Sequence, residues 1–236
     1  MSGGNKKNLK LPQYKGRLNA SDIAVGMNAA NKNANRLFNS AEILFKNEDY
    51  ASAVSLAILA IEEAGKVSIL RAIASTTDEN LLKTYWKEYR SHTDKTKTWN
   101  MVDYIQQGAV KLQDFAEMFS SSNISTYQLD QVKQIGFYTD CLGNAHWSIP
   151  EEIIDKDLAE QILLIASMHC RSEHKISVRE IELWTECLAP VWMKSMNEMK
   201  QGLLIWHQRM QEEGLADSSD HFADFVNTEI NMEFKK

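Results

Sequence analysis

The chain has 236 residues, 44% of them hydrophobic and 25% charged. Those fractions are globular and exclude a disordered, collagen-like or disulfide-dense class. With 26 Lys and Arg against 32 Asp and Glu, the net charge is −6. Coating nucleic acid through bulk charge is thereby excluded, because that mode needs broad phosphate neutralisation; a local basic cleft is not.

Cys141, Cys170 and Cys187 match no zinc spacing, and the reading is a reducing cytosol. Lysines 6, 7 and 10 are followed by no apolar run, so no signal peptide is read. The longest mostly apolar stretch, Tyr50 to Ile61, is shorter than the ~20 residues a bilayer crossing needs. A soluble, cytoplasmic protein without membrane contact is expected.

Three prolines and ten glycines are few for this length, which favours long helices. Residues 1–17 carry five basic residues and no acid, and read as a flexible basic tail. From 18 to 236 the expectation is one all-α domain. Ser21 or Asp22 caps a first helix to about Lys46, with Ile23, Met27, Ala30, Ala34, Leu37, Ala41 and Leu44 at helical spacing. After an Asn47-Glu48-Asp49 turn, a second helix runs from Tyr50 to Ser75 and closes an antiparallel hairpin. Thr77-Asp78 caps a third helix to about Arg90, and Met101–Phe119 reads as a fourth. Residues 120–125 read as a linker, and 135–140 as an extended segment or turn before a Gly143-Asn144 loop. Further helices are expected over Ile153–Met168, Val178–Cys187 and Pro190–Gln211, and weakly near the C-terminus.

Chemistry concentrates in three places. Between Tyr50 and Leu70 the only charges are Glu62, Glu63 and Lys66, on a helix otherwise apolar nearly all round. Such a helix is central, and an ion inside it is costly without a partner. Both carboxylates lie within helical pairing distance of Lys66. Two readings stand: an ordinary surface ion pair, or a polar cleft in the bundle. The second place is Lys83 to Lys97, where five Lys and Arg meet two acids beside His92, with Tyr85, Trp86 and Tyr89 interleaved. Aromatics for base stacking beside cations for phosphate are what holding single-stranded RNA requires. Lys83, Tyr85, Lys87 and Lys97 are the RNA-binding candidates there, and Arg90, His92 and Lys95 are candidates for acid–base and phosphate chemistry. A solvated helix end with core aromatics is the other reading. The third place, Lys133 to Asp140, reads as a glycine-permitted turn or as a cover over the cleft, with Lys133, Tyr138 and Asp140 toward RNA.

His169, Arg171 and His174 read as satisfied or exposed groups, and Met193, Met196 and Met199 with Trp192 as packing or interface surface. No Glu-x-x-His, phosphate-cradling glycine loop, His-Glu-x-x-His or Gly-x-Ser-x-Gly is present. No metal and no cofactor is expected.

Four segments carry a family resemblance. They are Asn33-Ala34-Asn35-Arg36-Leu37, Asp49-Tyr50-Ala51-Ser52-Ala53 leading into Ile61-Glu62-Glu63-Ala64-Gly65-Lys66, Tyr89-Arg90-Ser91-His92-Thr93-Asp94-Lys95, and Gly136-Phe137-Tyr138-Thr139-Asp140. In these the chain resembles the AbiV family of abortive-infection proteins, a branch of the HEPN superfamily. The resemblance implies a HEPN-like antiparallel helical bundle with additional C-terminal helices. It also implies a homodimer and a phage-defence toxin acting as a metal-independent ribonuclease, with RNA and a phage-encoded trigger as partners. In that chemistry a ribose 2′-hydroxyl attacks the neighbouring phosphate, a histidine moves protons and an arginine steadies the phosphorane. The chain lacks the usual Arg-x4-6-His spacing and offers Arg90-x-His92, Lys87-x4-His92 and Arg171-x2-His174. The AbiV-like Arg-x-His-x-x-Lys pattern selects Arg90, His92 and Lys95 as catalytic, oriented by Glu62, Glu63 and Lys66. A non-catalytic module that blocks translation by occupying RNA, the ribosome or a phage protein is the alternative.

Overall fold

The computed structural model describes residues 12–91, 124–142, 145–170, 174–217 and 222–227. The expected fourth helix, most of the expected linker, the Gly143-Asn144 loop and Arg171 lie outside the described residues, as do His92, Lys95 and Lys97.

The described chain is all-α apart from one small hairpin. Helix α1 spans Ala20–Lys46 and α2 Tyr50–Ser75. The first cap is Asn19, whose side chain accepts from Asp22 N at 2.8 Å, so α1 starts slightly ahead of the expected Ser21 or Asp22. Glu48 sits at φ 64 in the left-handed region, where it turns the chain, and Asp49 then caps α2 through Ser52 N. Helix α3 is Glu79–Arg90, capped by Asp78, whose carboxylate accepts from the backbone of Asn80 and Leu81. Next come α4 (Ile124–Phe137), a hairpin of β1 (Asp140–Leu142) and β2 (His146–Ser148), α5 (Pro150–Ile153), α6 (Lys156–Cys170), α7 (Val178–Leu188), a 3-10 turn at Ala189–Val191, α8 (Met196–Glu212) and α9 (Phe222–Asn227).

Four expectations are corrected. Residues 135–137 close α4 rather than forming an extended segment, and residues 124 and 125, read as linker, open it. The helix expected over Ile153–Met168 runs instead from Lys156 to Cys170, and Ile153 closes the short α5 before it. The helix expected from Pro190 begins only after Ser195, because Ser195 and Glu198 form a reciprocal capping box.

Helix α2 is the axis, and its two halves serve two cores. Its first half (Val54, Ala57, Ile58, Ala60, Ile61) packs with Phe38 and Ala41 of α1, Leu129 of α4 and Ala159, Ile162 and Ala166 of α6. Its second half (Ile69, Leu70, Ile73) packs with Ile23 and Met27 of α1, Leu82 and Trp86 of α3 and Ile181 of α7. Each fully buried Ile or Leu contributes about 1.5–3 kcal/mol. Glu62, Glu63 and Lys66 fall at the seam between the two cores.

Two straps fix the periphery. Residues 14–17, expected within the tail, are held: Arg17 donates to Thr76 O and to Glu79 at 2.7 Å, and Trp86 Nε1 donates to Gly16 O at 2.9 Å. At the other side the Arg71 guanidinium of α2 lies beside an edge-to-face indole pair, 4.9 Å from the Trp184 ring and 5.7 Å from that of Trp206. Trp184 Nε1 donates to Ser75 Oγ at 2.8 Å. Burial lowers the Arg71 guanidinium from its ordinary value, and the Glu180 carboxylate works against that shift.

Candidate functional site

Consecutive residues of α2 point to different neighbours at the seam. Glu62, 2% exposed, accepts from Lys133 Nζ of α4 at 2.5 Å. Asp130, one turn earlier on α4, lies 2.8 Å from the same ammonium. Burial pulls the Lys133 ammonium down, but hydrogen bonds and charge from Asp130 and Glu62 outweigh it and leave its pKa raised. Glu63 instead pairs with Lys66 at the half-buried edge of α2. The Lys66 ammonium also lies 5.3 Å from the Tyr89 ring centroid on α3. The structure thus unites Glu63, Lys66 and the end of α3, and sends Glu62 to Lys133.

Helix α4 reaches Glu62 because Gly136 lets it approach. A Cβ on Gly136 would lie 2.9 Å from Ala51 O and closer still to Ser55 Oγ. The glycine therefore serves a helix contact rather than the expected turn. Ser55 completes the seam by donating to Ala51 O at 2.9 Å.

At the end of α3, Arg90 donates to Trp86 O at 2.7 Å and to Tyr14 O, with its guanidinium 4.9 Å from the Trp86 ring. Trp86 and Tyr89 meet edge to face at 5.5 Å. Lys83 and Lys87 are exposed one turn apart. Tyr85, expected as a stacking platform, is half-buried and accepts a hydrogen bond from Trp192 Nε1 at 3.0 Å. Burial raises the Tyr85 phenol. Lys133 likewise departs from its expected place on an RNA-facing surface, since it is 3% exposed and neutralised from two sides.

Where α4 ends, its outer face carries Gln131, Gln134, Ile135 and Tyr138, at spacings that share one side of a helix. The opposite side, Leu129, Lys133 and Gly136, is buried. Tyr138, 62% exposed, borders a cavity of about 500 Å³ that also touches Asp140 and Ser148. Asp140 and Ser148 are register partners in the hairpin. The Asp140 carboxylate accepts from Cys141 N at 2.7 Å. The Ser148 hydroxyl is buried without a hydrogen-bond partner among the described residues.

The family model described as AbiV matches residues 22–171, more than half of the chain. The chain belongs to the AbiV family. It is accordingly an abortive-infection, HEPN-type module, and its helical architecture agrees with that class. No curated protein and no solved structure gives a match. Every described candidate residue of this AbiV chain lies inside the matched span, whereas Trp184 and Trp206, against which Arg71 packs, lie beyond it.

Local sequence reasoning missed Asp130 and the Glu62–Lys133 pair. Asp130 and Lys133 stand three apart, a detectable helical spacing, but the other carboxylate on that ammonium, Glu62, is 71 residues from Lys133. His169, read as satisfied or exposed, is largely buried, which lowers its imidazole pKa, and its Nε2 has no partner among the described residues. His174 pairs with Glu180 at 2.6 Å. Among the described residues no helix is long and apolar enough to cross a membrane.

Proposed function

We propose that this AbiV-family protein is a phage-defence toxin that cleaves RNA without a metal and so arrests translation. The observation that carries the reading is the polar seam of α2, where Glu63 and Lys66 adjoin the aromatic, cation-bearing end of α3. Lys83 and Lys87 supply exposed charge for phosphates on that helix. In the reaction O2′ bonds to phosphorus and the P–O5′ bond breaks, leaving a 2′,3′-cyclic phosphate and a 5′-hydroxyl. The proton leaving O2′ and the proton gained by O5′ pass through an acid–base group, assigned from the sequence to His92. Arg90 and Lys95 would balance charge on the phosphorane, Arg90 by releasing the Tyr14 carbonyl that it now holds. A second copy of the chain and a phage-encoded trigger complete the reading.

Incubating the full-length protein with total RNA in chelator is the test. Cyclic-phosphate ends that disappear with His92→Ala are expected; intact RNA together with undiminished toxicity of that variant would overturn the reading. The missing Arg-x4-6-His spacing favours a second reading, in which the protein blocks translation by occupancy. An enzyme acts substoichiometrically, whereas a blocker needs about one copy per target, so titrating protein against a translation extract separates the two.

A further inference from the structure

The cavity at the end of α4 differs in its chemistry from the seam. Among the described residues its walls hold an exposed phenol ring (Tyr138), two side-chain amides (Gln131 and Gln134), a carboxylate (Asp140) and the buried, partnerless hydroxyl of Ser148, with no Lys or Arg among them. A phosphate would meet the Asp140 charge uncompensated, so the walls disfavour a nucleic-acid backbone. A flat neutral group with hydrogen-bonding edges fits them: the ring offers a stacking face, and the amides offer both donors and acceptors. A volume of about 500 Å³ is also within the usual range for small-molecule sites, ~300–1,000 Å³. The groove along the C-terminal helices lacks this offer. Along α7 and α8, Arg209 already binds Glu186 at 2.6 Å, and Ser195 and Glu198 are spent on each other.

We infer that this cavity is a subsite for a single unpaired nucleobase, with guanine preferred. Asp140 decides the preference. An ionised carboxylate only accepts hydrogen bonds, and guanine presents a ring N–H beside an exocyclic amino group on one edge. The bond from Cys141 N–H fixes the plane of that carboxylate, and the amides of Gln131 and Gln134 donate toward the acceptors on the base's other edge. Tyr138 stacks on the ring. The inference rests on the RNA reading above and adds to it the base that the protein selects.

Calorimetric titration of the full-length protein with guanosine, adenosine, cytidine and uridine tests it. Guanosine is expected to bind at least about tenfold more tightly than the others. Asp140→Asn is expected to erase that preference, and Tyr138→Ala to weaken all four nucleosides. Both side chains are exposed, so unchanged melting curves show that the variants remain folded. Equal binding of the four nucleosides, or a guanosine preference that survives Asp140→Asn, would overturn the subsite. Failure of guanosine to bind while a single-stranded oligonucleotide still does would overturn the subsite and leave the RNA reading standing. A guanosine preference lost in Asp140→Asn, in a protein that neither binds nor cuts RNA, would keep the subsite and overturn the RNA reading.

Discussion

Opposite charges meet in two contrasting settings in this protein. Between α2 and α4, Lys133 is shared by Glu62 and Asp130 in a seam where its side chain is 4% exposed, that of Glu62 3% and that of Asp130 29%. Between α7 and α8, Arg179 is shared by Glu182, Glu186 and Glu213 at the surface, its side chain 39% exposed. The surface network contains more bonds and raises the Arg179 guanidinium pKa, chiefly through Glu213 and Glu182. More bonds do not make it the stronger determinant. Water screens an exposed pair in the folded chain and solvates its members equally well once they separate, whereas an ion stranded in the seam has no such refuge.

Removing one member of the buried set gives the largest expected effect. Lys133→Ala leaves Glu62 without its ammonium at a 2% exposed position and is expected to cost about 3–5 kcal/mol in urea unfolding. Replacing both Glu62 and Lys133 by methionine removes the charges together and should restore most of that loss. A double variant as unstable as the single one would show that the seam needs its charges for some other reason.

Glu180 is intermediate, 8% exposed at the first turn of α7. Burial raises its carboxyl, but hydrogen bonds from Ser177 and His174 outweigh this and lower it. A carboxylate depressed in the folded state contributes stability above its unfolded value of about 4.3 and loses it as pH falls through the folded value. Thermal melts of Glu180→Gln should therefore fall below wild type near neutrality and converge on it in acid. Parallel curves at every pH would contradict this assignment.

The smallest effect is expected from Arg179→Ala. Its modest drop in melting temperature should vanish in molar salt, because exposed charges are screened over a few ångströms there. A drop that persists in salt would erase the contrast between the two settings.

Legibility in the sequence followed the range of the interactions. The α1–α2 hairpin was legible because Asp49 caps the helix that begins at the next residue, and because Met27, Ala30, Ala34 and Ala41 repeat at the helical period. The box at Ser195 and Glu198 was equally local and marks the start of α8 better than Pro190 does. Gly136 misled for a physical reason: a glycine that admits a neighbouring helix and one that turns the backbone look alike in a sequence. The pairing of Glu63 with Lys66 was legible in its three-residue spacing, whereas Glu62, the adjacent position on α2, takes its partner from α4 and was illegible. Tyr138 and Asp140 were read as RNA-facing residues covering the cleft, and Ser148 joins them at their cavity only through strand register.

Arg71 has one further consequence. A guanidinium encoded within the AbiV-matched span is roofed by tryptophans encoded outside it. Trimming the polypeptide at residue 171 would remove the indoles beside that cation and uncover Ile69, Leu70 and Ile73, which pack with Ile176 and Ile181, so the family match does not mark out a minimal folding unit.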